Sequence, residues 1–421
     1  MPNPPDTRTE GDVLILTWAD VGLRAEAEQI RRDRGDLIAE LTWYVISPTA
    51  KYPHLHGAKQ NLSSTREKAS LARYLTERTQ GMELDWDTIV EQVSVLVKRH
   101  YQEGEPFVKI GRQTEAKPHK YRLDRLLEEG QITVLYGEGG SGKSYIALAA
   151  ALSVQDAYEF LNLDMEPGNV AYLDYETDEE EQNDRARRLT RGFNMTNLEF
   201  PEIHYRRMTQ PIADDIGRIR RFIAQEKIAL AVIDSLGLAC GGEPESAEVA
   251  LRMYGSLRQL GCTILGIHHI SAAQAEQRGK RRPFGSVYHI NIPRSIWEVR
   301  STSETESNAF RVGLYHRKSN NGRLWKPMGY EFRFDTEATF IKRTDIMDVR
   351  ELAEGVSLAD QIAAVLRHEA QSVFALAEEL LPAASTPEKA QATIRTTLNR
   401  YKDRFVRVGE KWGLTAEHNV T

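Results

Sequence analysis

The sequence predicts an α/β protein: a core with a mostly parallel central sheet, an α+β N-terminal domain before it and a small, mostly helical domain after it. Three observations carry that expectation. Between residues 121 and 345, apolar runs of strand length alternate with helical stretches, the pattern of a sheet built through crossovers. The run Gly137-Glu138-Gly139-Gly140-Ser141-Gly142-Lys143-Ser144 fits the phosphate-loop spacing G-x-x-x-x-G-K-[ST] at every fixed position. Apolar Ile132–Tyr136 precedes it and Tyr145–Leu152 follows it, so the glycines fall at a strand-to-helix turn.

Three segments are expected. Residues 1–115 carry two alternating runs, Leu23–Ile30 and Leu37–Val45, joined through the hairpin signal Asp33-Arg34-Gly35-Asp36. Two helices follow, one after Asn61-Leu62-Ser63-Ser64 with Leu71, Tyr74 and Leu75, the other over Trp86–Tyr101 with Ile89, Val93 and Val97 at helical spacing. The polar stretch Gly111–Lys120 reads as a linker. The core spans 116–345. Residues 346–421 read as three helices and a hairpin: Ser357 opens the first, Val373, Leu376 and Leu380 line the second, and Ser385 with Glu388 forms a capping box for the third, with Pro387 inside its first turn. Phe405–Leu414 closes as the hairpin.

Composition narrows the function classes. A chain of 421 residues with 28% charged, 41% hydrophobic residues and a formal charge of −6 has an ordinary soluble balance, which excludes a globally basic nucleic-acid coat. Any nucleic-acid surface is then a local patch. Cys240 and Cys262 are too few for a disulfide framework or a metal site alone and fit a reducing interior. No apolar run approaches the roughly 18 residues of a membrane helix, and Met1-Pro2-Asn3-Pro4-Pro5 does not read as a signal peptide. The expectation is a cytoplasmic protein with no membrane partner.

The phosphate loop brings its own chemistry. Backbone amides of Gly137, Glu138, Gly139, Gly140, Ser141, Gly142, Lys143, Ser144 and Tyr145 would cradle the phosphates of ATP or GTP, with Lys143 on the β- and γ-phosphates and Ser144 on Mg²⁺. Hydrolysis needs more. Ile228–Ile233 is an apolar strand ending in Asp234, the second candidate for holding Mg²⁺. Val170–Tyr175 ends in Glu176, placed to take the proton of an attacking water, with Asp174 as the alternative base. Asp178 and Glu181 fit a helix cap. Thr263–His268 runs into His269, a candidate sensor of the γ-phosphate, while His268 should face the other side of the sheet.

This order of motifs, phosphate loop, Tyr-Leu-Asp-Tyr-Glu-Thr-Asp, Val-Ile-Asp-Ser-Leu and His-His, resembles the RecA-like ATPases over residues 120 to 340. It is most similar to hexameric replicative helicases of the RepA type. The resemblance implies that Glu176 is the catalytic base and that His269 links the γ-phosphate to a DNA-facing loop. It also implies a ring, a hexamer, on single-stranded DNA. The segment Ser271–Phe284, with Arg278, Lys280, Arg281 and Arg282, would be that loop, able to neutralise phosphates without reading sequence. The family also inserts a Lys-x-Arg pair before Asn-Gly into the neighbouring ATP site. Lys318 matches the lysine, but Asn320 stands where arginine is expected, leaving Arg317 or Arg323 to substitute. The last domain looks like a winged helix-turn-helix whose third helix region offers Arg395, Arg400 and Lys402 to DNA. Its acidic and basic residues balance, so protein docking competes with that reading. The function expected is a Mg-ATP-dependent ring ATPase on DNA, a helicase or translocase. The alternatives are an ATPase that loads or remodels protein partners on DNA, and an ATP-gated regulatory module with slow hydrolysis. The N-terminal domain would recruit a partner or stabilise the ring.

Overall fold

The computed structural model describes residues 3–10, 13–46, 53–80, 82–104, 119–193, 201–275, 281–302, 309–353, 355–382 and 384–415. Residues 111–118 of the expected linker Gly111–Lys120, and both Arg278 and Lys280, lie outside them. Met1–His119 together with Ile212–Ile228 form one compact unit, and the remaining residues form a second.

In the first unit, strands β1 (Asp6–Glu10), β2 (Val13–Trp18), β3 (Leu23–Asp33), β4 (Asp36–Val45) and β5 (His54–Asn61) form an antiparallel sheet in chain order. Helices α1 (Thr65–Arg78) and α2 (Trp86–Glu103) follow. Period-two alternation buries Leu23, Ala25 and Ala27 of β3 and Leu41 and Trp43 of β4 with Leu71 and Leu75 of α1 and Ile89, Val93 and Val97 of α2. At the centre, Trp18 stacks on Trp43 at 6.3 Å and Trp86 meets Trp43 edge-on at 5.5 Å. The β3–β4 turn places Arg34 and Gly35 at positive φ, as a tight two-residue hairpin turn requires. Two strands were expected here and five are present among the described residues. β5 is rich in His, Gly and Lys and half exposed, so no apolar alternation marks it; β1 is exposed throughout.

The second unit begins with a small ribbon, β6 (Tyr121–Leu123) and β7 (Leu127–Glu128). Then come β8 (Ile132–Gly137), α3 (Lys143–Asp156), β9 (Val170–Asp174), α4 (Glu179–Gly192) and β10 (His204–Arg207). Helix α5 (Ile216–Gln225), which clusters with the first unit, precedes β11 (Leu230–Asp234), α6 (Leu236–Ala239), α7 (Ala247–Gln259) and β12 (Thr263–His269). The core ends with α8 (Ala272–Ala275), α9 (Tyr288–Asn291), β13 (Ser295–Ser301), β14 (Ala309–Ser319), β15 (Met328–Phe334) and β16 (Thr339–Thr344).

The sheet order is β10-β9-β11-β12-β8-β13-β14-β15-β16. Neighbours from β10 to β13 run parallel, and the last three pairings are antiparallel. The expected crossovers therefore end at β13, after which hairpins extend the edge. Every residue of β8, β9 and β11 is buried, which explains their unbroken apolar runs: helices cover both faces. Helix α3 is buried all round, its alanines allowing close approach to the sheet.

After β16, a 3₁₀ turn over Ile346–Asp348 and α10 (Arg350–Ala353) pack Ile346, Val349 and Leu352 around Tyr315, whose hydroxyl donates to the Leu352 carbonyl. Helix α11 (Leu358–His368), β17 (Gln371–Ser372), α12 (Val373–Leu380), α13 (Pro387–Arg400), β18 (Phe405–Val408) and β19 (Lys411–Leu414) complete the chain. Ile362, Leu366, Leu376, Ile394, Leu398 and Phe405 make their own core, and the strands lie in the order β17-β19-β18. Ser357 caps α11 as expected. The cap of α13 is Thr386 rather than Ser385, with its hydroxyl accepting from the Lys389 amide at 3.2 Å. Pro387 fixes the register: its ring presets the first helical position and keeps the residue before it extended.

Candidate nucleotide site

The loop between β8 and α3 is shaped by its glycines. Gly142 has φ 84°, and a Cβ there would lie 2.9 Å from the Phe310 ring, so both conformation and space require glycine. A Cβ on Gly137 would meet the Val299 carbonyl oxygen at 2.3 Å, because β13 runs directly alongside. Gly139 and Gly140 face open space, leaving room for phosphates against the backbone. No side chain caps α3, so its first amides are available to an anion. Lys143 is buried and donates to the carbonyls of Gly137 at 3.2 Å and Glu138 at 2.5 Å. Burial pushes its pKa down to about 8, against the pull of Asp234, Glu176 and Glu138. Tyr145 packs edge-on against Phe334 at 5.1 Å, under the Arg185 guanidinium.

Parallel register gathers the carboxylates. Asp234 pairs with Asp174 across β11 and β9, and His269 pairs with Gly137 across β12 and β8. Asp234 is buried, its Oδ2 accepting from the Tyr172 hydroxyl at 2.9 Å, while Oδ1 has no partner among the described residues. Burial raises its pKa to about 6, with the Ser144 hydroxyl pulling it back. An orphaned, buried carboxylate oxygen beside a hydroxyl fits a hydrated divalent cation.

Asp174, the alternative base, is occupied. It accepts from the amides of Glu176 and Thr177, the Thr177 hydroxyl and the Gln182 side-chain amide, all at 2.6–3.0 Å. Its work is to fold the turn after β9, which aims Glu176. Glu176 Oε1 lies 2.9 Å from His269 Nε2. That hydrogen bond chiefly holds the carboxyl down to about 2, with Ser235 and Lys143 adding to it. His268 points the other way, as alternation requires, into a buried pocket with His289 at 4.5 Å; burial pushes it down to about 3. Asp178 caps α4 through the Glu181 amide.

The described part of the basic loop is tied to this site. Arg281 pairs with Glu138 at 2.5 Å and its carbonyl accepts from the Tyr136 hydroxyl. The Arg282 amide donates to Gln274, and the Phe284 amide donates to the His269 carbonyl at 2.8 Å. The sequence reading missed the Glu138–Arg281 pair; its signal was an acid in a variable position of a phosphate-binding loop, which calls for a counter-charge.

Lys318 and Arg317 both have partners within this chain. The Lys318 ammonium donates to the carbonyls of Ile290, Asn291 and Pro293 at 2.6–2.8 Å, at the end of α9. Arg317 binds Glu298 at 2.6 Å and the Gly355 carbonyl at 3.0 Å. Glu298 is wholly buried and also takes Arg300 at 2.6 Å, so a buried charge fixes Arg317 within its own chain. Arg323 is exposed over the Trp325 ring. Arg395, Arg400 and Lys402 are exposed on and just after α13, away from its buried face.

Residues 101–275 match the family described as the AAA domain, a span that holds the phosphate loop, Glu176, Asp234 and His269. Together with the strand order, in which β12 separates the loop strand β8 from the Asp234 strand β11, this match supports a RecA-like P-loop core. Among solved structures, a KaiC-like protein from the hyperthermophilic archaeon Pyrococcus horikoshii OT3 shares 16% identity over 53% of this chain and 99% of its own, with a TM-score of 0.37, a likeness too distant to carry an argument. No curated protein matches the chain. Among the described residues, no helix is long and apolar enough to cross a membrane, and no group of three or more His, Cys, Asp or Glu could hold a metal. Cys240 and Cys262 are buried free thiols.

Proposed function

We propose that this protein is a Mg-ATP-dependent RecA-like ring ATPase that acts on single-stranded DNA as a helicase or translocase of the RepA type. The observation that carries the reading is the Glu176–His269 contact, from which the chain runs directly into the basic segment. Lys143 and the amides of the loop bind and orient the triphosphate; Ser144 and Asp234 would hold Mg²⁺, which screens phosphate charge when bound. Glu176 orients water and accepts its proton. At a pKa of about 2 the carboxylate is a weak base while His269 holds it, so a change in His269's partner raises its basicity. The Phe284 amide on the His269 carbonyl gives the basic segment a route to that change. The C-terminal three helices and hairpin resemble a winged helix, with Arg395, Arg400 and Lys402 available to duplex DNA or to a protein partner. Self-association into a hexamer follows from the family resemblance.

The test is steady-state ATP hydrolysis with and without single-stranded DNA, with Glu176→Gln as the blank. Tenfold stimulation or more, worth about 1.4 kcal/mol of barrier, supports the motor. A low rate indifferent to DNA overturns it and favours a second reading, a loader or an ATP-gated binding module. Two observations support that alternative: Asn320 where arginine is expected, and Lys318 and Arg317 engaged inside their own chain.

A further inference from the structure

The N-terminal unit carries a cavity of about 370 Å³, lined by the β3–β4 turn, the residues after β5 and one face of α2. Its size falls within the roughly 300–1,000 Å³ of small-molecule sites. The face of α2 that lines it presents Glu91, Val95, Lys98 and Tyr101 at successive helical spacings. Val95 is 48% and Tyr101 40% exposed, so this concave surface leaves apolar and aromatic area uncovered. Its one acid, Glu91, is neutralised by Lys68 at 2.6 Å. Two further cations line the hollow, Arg32 and Lys98. Neither side chain has a hydrogen-bond or ion-pair partner among the described residues. The cavity thus combines an aromatic wall, an apolar floor that includes Leu62, and two uncompensated positive charges, in a protein whose net charge is negative.

We infer that this cavity is a second nucleotide-recognition site, separate from the phosphate loop, which takes one nucleotide unit with its base against Tyr101 and its phosphate on Arg32 and Lys98. A planar ring covers the aromatic wall that a lone carboxylate would leave bare, and stacking with phosphate neutralisation is how strands are held without sequence readout. The unit comes either from a free nucleoside monophosphate or from a single strand crossing the N-terminal unit.

The experiment uses the full chain carrying Lys143→Ala, so that the phosphate loop contributes nothing. Thymidine 5′-monophosphate is titrated calorimetrically, and a short fluorescein-labelled oligothymidylate by anisotropy. Adding Arg32→Glu and Lys98→Glu together should raise the dissociation constant at least tenfold. Tyr101→Leu, which keeps the charges, should raise it at least threefold. Loss of mononucleotide binding identifies a free nucleotide as the source; loss confined to the oligonucleotide identifies a strand, and either supports the site. Unchanged affinity for both probes in both variants overturns it. With Lys143 intact, R32E/K98E should keep its ATP affinity, which separates this site from the ATPase reading.

Discussion

His269 Nε2 and Glu176 Oε1 lie 2.9 Å apart, joining the tips of two strands separated by 93 residues of sequence. The contact keeps the carboxylate ionised far into the acid range. A depressed carboxyl loses its charge only as pH falls through the folded value, here about 2. Replacing His269 with Ala should move the acid limb of the kcat–pH profile upward by one to two units, toward an ordinary glutamate near 4.3. Glu176→Gln should bind ATP but lower kcat by roughly 10²-fold or more. Undiminished turnover in Glu176→Gln would remove Glu176 from the base role.

Lys143 holds its proton weakly because it is buried, with a pKa of about 8. Phosphates need the ammonium form, so ATP binding should take up a proton above that pH. The dissociation constant should rise by up to about tenfold per unit beyond pH 8. Calorimetry in buffers of different ionisation enthalpy measures this directly, and a pH-independent affinity up to 9.5 would contradict it. Lys143→Ala should abolish tight binding.

Asp234 titrates in the opposite sense. Its folded pKa, about 6, exceeds the ordinary 3.8, so its favourable contribution is complete below the unfolded value and is lost as pH rises through about 6. At pH 7.5 the ionised group works against folding. Asp234→Asn should therefore stabilise the ligand-free protein by something on the order of 1–3 kcal/mol at that pH while losing Mg²⁺-dependent ATP binding. Thermal melts at pH 5 and 7.5 test the sign: the gain should shrink at the lower pH.

Neutralising Arg278, Lys280, Arg281 and Arg282 together should weaken single-stranded DNA binding and reduce the slope of log K against log salt by about 3. An unchanged slope would leave the C-terminal domain or the N-terminal cavity as the DNA contact.

Glu298→Ala should destabilise the protein by about 3–5 kcal/mol, because Arg300 and Arg317, both partly buried, would lose the carboxylate they share. Chemical denaturation measures this; a change below about 1 kcal/mol would mean that solvent reaches the pair.

The parallel half of the sheet and its site were legible because full burial on both faces writes itself as long apolar runs, and because glycine, lysine and acids at strand tips have few other reasons to coincide. The N-terminal sheet was less so. β5 has one solvated face and reads His-Leu-His-Gly, which no periodicity separates from a loop. The antiparallel edge was also hidden, since β15 and β16 mix aromatics with arginine and lysine on a half-exposed border. Most of all, register was invisible. Glu176, Asp234 and His269 could be assigned to strand ends, but that His269 meets Glu176, while Asp174 is consumed by its own turn, depends on side-chain orientation. The fates of Lys318 and Arg317 turned on partners distant in sequence, the carbonyls after α9 and the buried Glu298.

Helix α3 has its charges the wrong way round. Lys143 opens it, at the end where the aligned peptide dipoles are positive, and Asp156 closes it, at the negative end, with no acid in the first turn and no base in the last. Asp234, Glu176 and Glu138 act on the Lys143 end, and Asp156 is exposed to solvent. The helix thus behaves as a battery with one terminal left unwired: no side chain caps its first amides, and an anion arriving from outside completes the circuit. The ligand-free fold should accordingly tighten with plain inorganic phosphate, before any nucleobase or hydrolysable bond is involved.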